Sequence, residues 1–145
     1  MLPDQDPLIS YTHSLRSRYN ETDRMGYVYH GRYLEYFEVA RTEFIRKTGI
    51  PYVGLEDAGI MLPVINAEIR YRKPVRYDEL IKITVHIYSW PDVRFVTYYE
   101  IHTEGTDPHV LGKVELCFMS AQNRRPVKAP LNFINEFKRY VQEHA

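Results

Sequence analysis

A chain of 145 residues, 44% hydrophobic and 26% charged, has the balance of one globular domain. Its 19 basic and 19 acidic residues cancel, so no net field draws it to nucleic acid or to an anionic membrane. The single cysteine, Cys117, excludes an intrachain disulfide framework and a multi-cysteine zinc site.

The start, MLPDQDPLIS, lacks the basic-then-apolar order of a signal peptide, and no apolar run approaches membrane-spanning length. A cytoplasmic setting is the expectation. Residues 1–10 read as a loose lead-in, and THSLRSRYN, residues 12–20, alternates weakly and predicts a first strand. A loop follows, YNETDRMGYVYHG, residues 19–31, dense in acids, tyrosines and glycine.

Residues 31–48 have a helical period, with Tyr33, Phe37, Ala40 and Phe44 on one stripe widened by Leu34 and Ile45. The last turn is basic, Gly49 is a natural stop, and Pro51 closes the exit. Such a helix is about 25 Å long and crosses several strands. Residues 51–60 read as a turn or brief helix. The period then changes to two, predicting strands over 62–72, 79–89, 93–104 and 109–119. Trp90-Pro91-Asp92 and Gly105-Thr106-Asp107-Pro108 punctuate them. A polar link over 123–130 leads to a short final helix over 131–141.

Short connections imply antiparallel pairing, and the whole chain reads as one α+β domain with its core over about 12–120. One long helix covers one sheet face. A second subunit is the economical cover for the other, so a homo-oligomer is expected.

Chemistry concentrates in the loop. Asp23 is a carboxylate beside a helix start, able to attack an acyl carbon or take a proton from water. The first turn of the helix has unpaired N–H groups and a positive dipole end, suited to developing negative charge. No Ser, Thr, Asp or Asn stands at residues 29–32 to cap it. The bland alternative is that Asp23 or Thr22 folds back as the cap. His30 can orient water or a leaving group, or be a structural histidine. Gly26 permits a tight turn and Gly31 a close approach to backbone. Tyr19, Tyr27 and Tyr29 line an acyl pocket or plug the core. Glu38 forms an exposed pair with Arg41 or supports the site. Arg70, Arg72, Lys73 and Arg76 form a local basic patch, as do Arg124, Arg125 and Lys128. His102 and His109 flank a turn without a third ligand, so no metal is implied. There is no GxxxxGK, GxGxxG or GxSxG motif. Cys117 lies in an apolar strand and reads as a structural thiol.

Taken whole, YNETDRMGYVYHGRYLEYFEVAR resembles the opening motif of hotdog-fold acyl-CoA thioesterases of the 4-hydroxybenzoyl-CoA thioesterase type. The matching positions are Tyr19, Thr22, Asp23, Gly26, Val28, Tyr29, His30, Gly31, Glu38, Ala40 and Arg41. IRYRKPVRYDELIKI, residues 69–83, resembles the following strand, turn and strand. The resemblance implies a hotdog fold, a curved antiparallel sheet wrapped around one long central helix, assembled as a dimer or tetramer. It implies hydrolysis of an acyl-CoA to a free acid and coenzyme A, without a cofactor.

Asp23 would be nucleophile or general base, and the backbone N–H at His30 the thioester-polarising donor. Tyr19 and the His30 side chain would support them. Gly26, Tyr27, Val28, Tyr29, Gly31, Glu38, Arg72 and Lys73 would shape the substrate site, the last two by holding phosphate. Arg24 and Met25 replace the small residues common before the glycine, and Gly31-Arg32 replaces a frequent Ala-Asn or Pro-Asn. Three other readings stand beside this one: a thioesterase acting on acyl carrier protein, a hydratase, and a non-catalytic thioester-binding protein.

Overall fold

The computed structural model describes residues 1–50 and 52–144, so the expected role of Pro51 lies outside the described residues. In chain order the elements are β1 (Ile9–Arg16), a single 3-10 turn (Tyr19–Glu21), α1 (Arg32–Lys47), α2 (Tyr52–Asp57), β2 (Ile60–Met61), β3 (Val64–Tyr71), β4 (Leu80–Ile87), β5 (Arg94–His102), β6 (Val110–Cys117), β7 (Met119–Ser120) and α3 (Leu131–His144).

Period-two alternation builds the sheet. In β4, Ile81, Ile83, Val85 and Ile87 are buried on one face while Lys82 is exposed on the other. Phe95, Thr97, Tyr99 and Ile101 of β5 point the same way, as do Val110, Gly112, Val114 and Leu116 of β6. These strands form one antiparallel five-stranded sheet in the order β1-β4-β5-β6-β3, and β2 pairs with β7 separately.

The stripe on α1 buries Tyr33, Tyr36, Phe37, Ala40, Phe44 and Ile45 against this face. Leu34 instead stays exposed. Arg41 turns inward and donates to the Tyr99 hydroxyl at 3.1 Å, away from Glu38 on the exposed face. Phe37 lies flat on Tyr99, with ring centroids 4.3 Å apart, and over the bare backbone of Gly112. The helix ends where Gly49 takes φ +89° and its N–H returns to the Arg46 carbonyl, a left-handed stop that glycine adopts without strain.

The expectation of a sheet wrapped around one long central helix is corrected. The sheet stays open, with β1 and β3 at its edges, and two helices share its covered face. The final helix runs 14 residues to His144, against 16 for α1, and is no short appendage. Phe133 of α3 packs on Phe95 and Phe118 at 5.7 and 5.1 Å, and Phe137 packs on Phe44 at 6.1 Å. Width explains the division. Five strands span roughly 19 Å between outer axes, whereas a helix is about 10 Å across. The result is an α+β, hotdog-like arrangement with mixed sheet and helix elements. Among the described residues, no helix is long and apolar enough to cross a membrane.

Neither helix covers β3 fully. Val64, Ile65 and Tyr71 on that edge strand are exposed. The outer face of β1, β4 and β5 is largely self-satisfied by polar contacts. His86 bonds Ser10 and Glu100, each at 2.6 Å, and Thr12 bonds Thr84 at 2.9 Å.

Candidate active site

The 3-10 turn after β1 is tied down by Glu21. Its carboxylate accepts the Arg18 N–H at 2.7 Å and the Tyr36 hydroxyl of α1 at 2.9 Å. Burial, then the neighbouring Glu21 carboxylate, raises the Tyr36 phenol pKa well above its ordinary value, so it remains a donor. The Glu21 carbonyl also accepts the Tyr29 N–H at 2.8 Å. The loop is thus closed on itself from Glu21 to Tyr29 and fastened through Glu21 to the helix it precedes.

Asp23 opens a tight reversal. Its N–H donates to the Tyr27 carbonyl at 2.7 Å, and its carbonyl accepts from Gly26 at 3.1 Å. Gly26 sits at φ +81°, which a side chain would strain. Asp23 Oδ1 accepts the N–H of Met25 at 2.8 Å and of Tyr27 at 3.3 Å. These bonds fix the carboxylate and leave Oδ2 without a protein partner among the described residues.

The start of α1 follows. Gly31 occupies the cap position with no side-chain cap. Asp23 bonds within its own turn, and Thr22 Oγ1 donates to the Tyr19 carbonyl at 2.7 Å, so neither serves as the helix cap. Among the described residues, no acceptor in the chain meets the N–H of His30 or Gly31. The His30 carbonyl accepts the Tyr71 hydroxyl at 2.9 Å. Because that carbonyl and the Gly31 N–H belong to one planar peptide, the bond also aims the Gly31 N–H.

One cleft of about 310 Å³ gathers Asp23, Tyr27, Val28, His30, Arg72 and Lys73. Met25, Tyr33, Tyr71 and Pro74 complete its wall. Tyr33 had read as plain core, but its hydroxyl reaches the Val75 N–H at 3.4 Å. Tyr71 had a signal in being the neighbour of Arg72, yet nothing local shows that its hydroxyl reaches the helix start.

The remaining candidates lie around this cleft. Tyr19 is 78% exposed, edge-on to Tyr77 at 5.7 Å, and shares a separate open groove with Asp23 and Gly26. A groove of about 680 Å³ between β1 and α1 holds Tyr19 but does not reach Asp23. Tyr29 is half-exposed, its ring 4.3 Å from that of His30. A Cβ at Gly31 would sit 2.9 Å from the Tyr29 ring, so that glycine makes room for the chain's own tyrosine. Glu38 is exposed on α1 and is not part of the cleft wall.

Arg72 and Lys73 both pair with Asp107, at 3.0 and 2.6 Å. Lys73 first, then Arg72, holds the Asp107 carboxyl below its usual range. Behind them, burial and the nearby Lys73 and His102 lower the pKa of His109. Among the described residues, no three His, Cys, Asp or Glu side chains gather in a metal-binding arrangement.

A fixed carboxylate and bare helix-start donors on one partly apolar cleft suit acyl transfer: one group delivers or activates a nucleophile, the others stabilise the oxyanion.

Comparison with known proteins follows the same line. The chain is 39% identical over 111 residues to the putative acyl-CoA thioesterase YneP of Bacillus subtilis, covering 77% of this chain and 80% of that one. The solved structure of a DHNA-CoA thioesterase from Staphylococcus aureus matches with a TM-score of 0.82 at 31% identity, over 92% of this chain and 90% of that one. A structure of 4-hydroxybenzoyl-CoA thioesterase matches with a TM-score of 0.78 over 88% of this chain and 97% of that one, but at 18% identity it shares the fold alone. Relatives of several thioesterase types stand together, so the resemblance to the 4-hydroxybenzoyl type widens to the superfamily. With residues 17–139 matching the family model of that description, the chain belongs to the thioesterase-like superfamily.

Proposed function

We propose that the protein hydrolyses an acyl-CoA thioester to a free acid and coenzyme A. The observation that carries this reading is the Asp23 carboxylate, held by its own turn with Oδ2 unengaged, on the cleft beside the uncapped start of α1. The thioester carbonyl oxygen points at the N–H of His30, with that of Gly31 beside it. Asp23 attacks the carbonyl carbon and the thiolate leaves, giving a mixed anhydride that water hydrolyses. In the other form of the reaction, Asp23 takes the proton of a water that attacks directly. Thiolate is a good leaving group, so neither route needs a strong acid. The His30 side chain and Tyr19 support the site from its rim, and the walls formed by Tyr27, Val28, Tyr33 and Tyr71 receive the acyl group.

The protein works, in this reading, as a homo-oligomer in the cytoplasm. Support for assembly is the exposed β3 edge, and support for a reducing setting is the lone, buried Cys117 thiol. The reaction is tested by thiol release from short, medium and long aliphatic acyl-CoAs plus benzoyl-CoA and phenylacetyl-CoA. Turnover of at least one is expected. Folded protein that turns over none contradicts the reading, and turnover only of the same acyl groups on acyl carrier protein moves the substrate to that carrier.

A further inference from the structure

The basic pair on the cleft already has an anion. Arg72 Nη1 donates to Asp107 Oδ1 and Lys73 Nζ to Asp107 Oδ2, so one carboxylate spans both cations. Asp107 stands on the hairpin between β5 and β6, a turn entered through Gly105 at φ +80°. The backbone of the same segment is latched independently: the His109 carbonyl accepts the N–H of Arg72 at 2.9 Å and of Lys73 at 3.0 Å. The latch sets where the two side chains begin, and the carboxylate sets where they end. All three side chains are about half exposed. Ion pairs this exposed are weak and exchange readily with a competing anion. A phosphate group offers the same paired oxygens with more charge.

We propose that Asp107 is a built-in stand-in for phosphate, holding Arg72 and Lys73 in the free protein and yielding them to the phosphates of the incoming thioester's carrier. The proposal rests on the cleft being an acyl-thioester site. Asp107 then sets how strongly a phosphate-bearing carrier is preferred, because every such substrate must displace it. The chemical step at Asp23 lies outside this exchange.

The test is steady-state thiol release by the wild type, D107N and D107E, with one acyl group carried on coenzyme A, on dephospho-coenzyme A and on pantetheine. Removing the competing charge should lower KM for the acyl-CoA by about threefold or more, on the scale of an exposed ion pair, with kcat retained. D107E keeps the charge and should return KM toward the wild-type value. The pantetheine thioester, lacking phosphate, should show no such shift. A shift kept with dephospho-coenzyme A assigns the exchange to the diphosphate, and a shift lost with it assigns the exchange to the terminal ribose phosphate. An acyl-CoA KM that D107N leaves unmoved or raises overturns the proposal while the hydrolase reading stands. An equal shift with the pantetheine thioester overturns it too. No turnover of any thioester by the wild type overturns the hydrolase reading itself.

Discussion

In the proposed reaction, Asp23 divides its carboxylate between structure and chemistry. Oδ1 closes the turn through Met25 and Tyr27, which leaves Oδ2 as the oxygen free to react. Asp23 and His30 were legible in the sequence because they lie on one short local motif, and so were Arg72 and Lys73 as a basic run. Tyr71 and Asp107 were not. Their roles depend on β3 lying beside β6 and on where the β5–β6 hairpin ends, which are long-range facts. His109 carries a pH prediction at this scale. Burial holds its folded-state pKa below the ordinary 6.5, so the unfolded chain binds the proton more readily. Its contribution to stability is full above about pH 6.5 and is lost as pH falls through the lower folded value. Denaturant midpoints measured from pH 7.5 to 5 should fall less steeply for H109Q than for the wild type. Equal slopes would contradict this.

At the scale of elements, the boundaries of α1 followed from pattern, while the end of α3 did not. The apolar stripe and Gly49 located α1 within a residue at each end. What faces α1 did not follow. Gly112 of β6 is the flat floor under Phe37. A Cβ there would fall inside the Phe37 ring, and Phe37 is fully buried against Tyr99 with no room to withdraw. Gly112→Ala should destabilise the protein by about 2 kcal/mol through overpacking. Adding Phe37→Leu should recover part of that loss. An unchanged urea midpoint for the single variant would show that the helix rides higher than described.

For the whole molecule, the sequence supported an α+β chain with antiparallel strands, but it misjudged how the sheet is covered. Reading α3 as a short helix left one helix to cover a five-stranded sheet. Phe133 and Phe137 stand plainly in the sequence, but their reach to Phe95, Phe118 and Phe44 depends on tertiary packing. The case for a second copy also moves. The outer face is tied by polar contacts around His86, whereas the β3 edge is bare, with backbone unpaired on one side and exposed Val64 and Ile65. Light scattering should therefore give a dimer or a higher multiple, and Ile65→Lys should shift it toward the protomer. A monomeric wild type would contradict assembly through this edge.

The most direct measurement is single-variant kinetics at Asp23. An Asn side chain retains an oxygen for the Met25 and Tyr27 N–H groups, so D23N keeps the turn while losing the carboxylate. Thiol release from the best acyl-CoA of the panel should fall by on the order of a hundredfold or more in kcat, with folding and oligomeric state unchanged. Turnover that survives in D23N would leave the reaction standing and remove Asp23 from its chemistry.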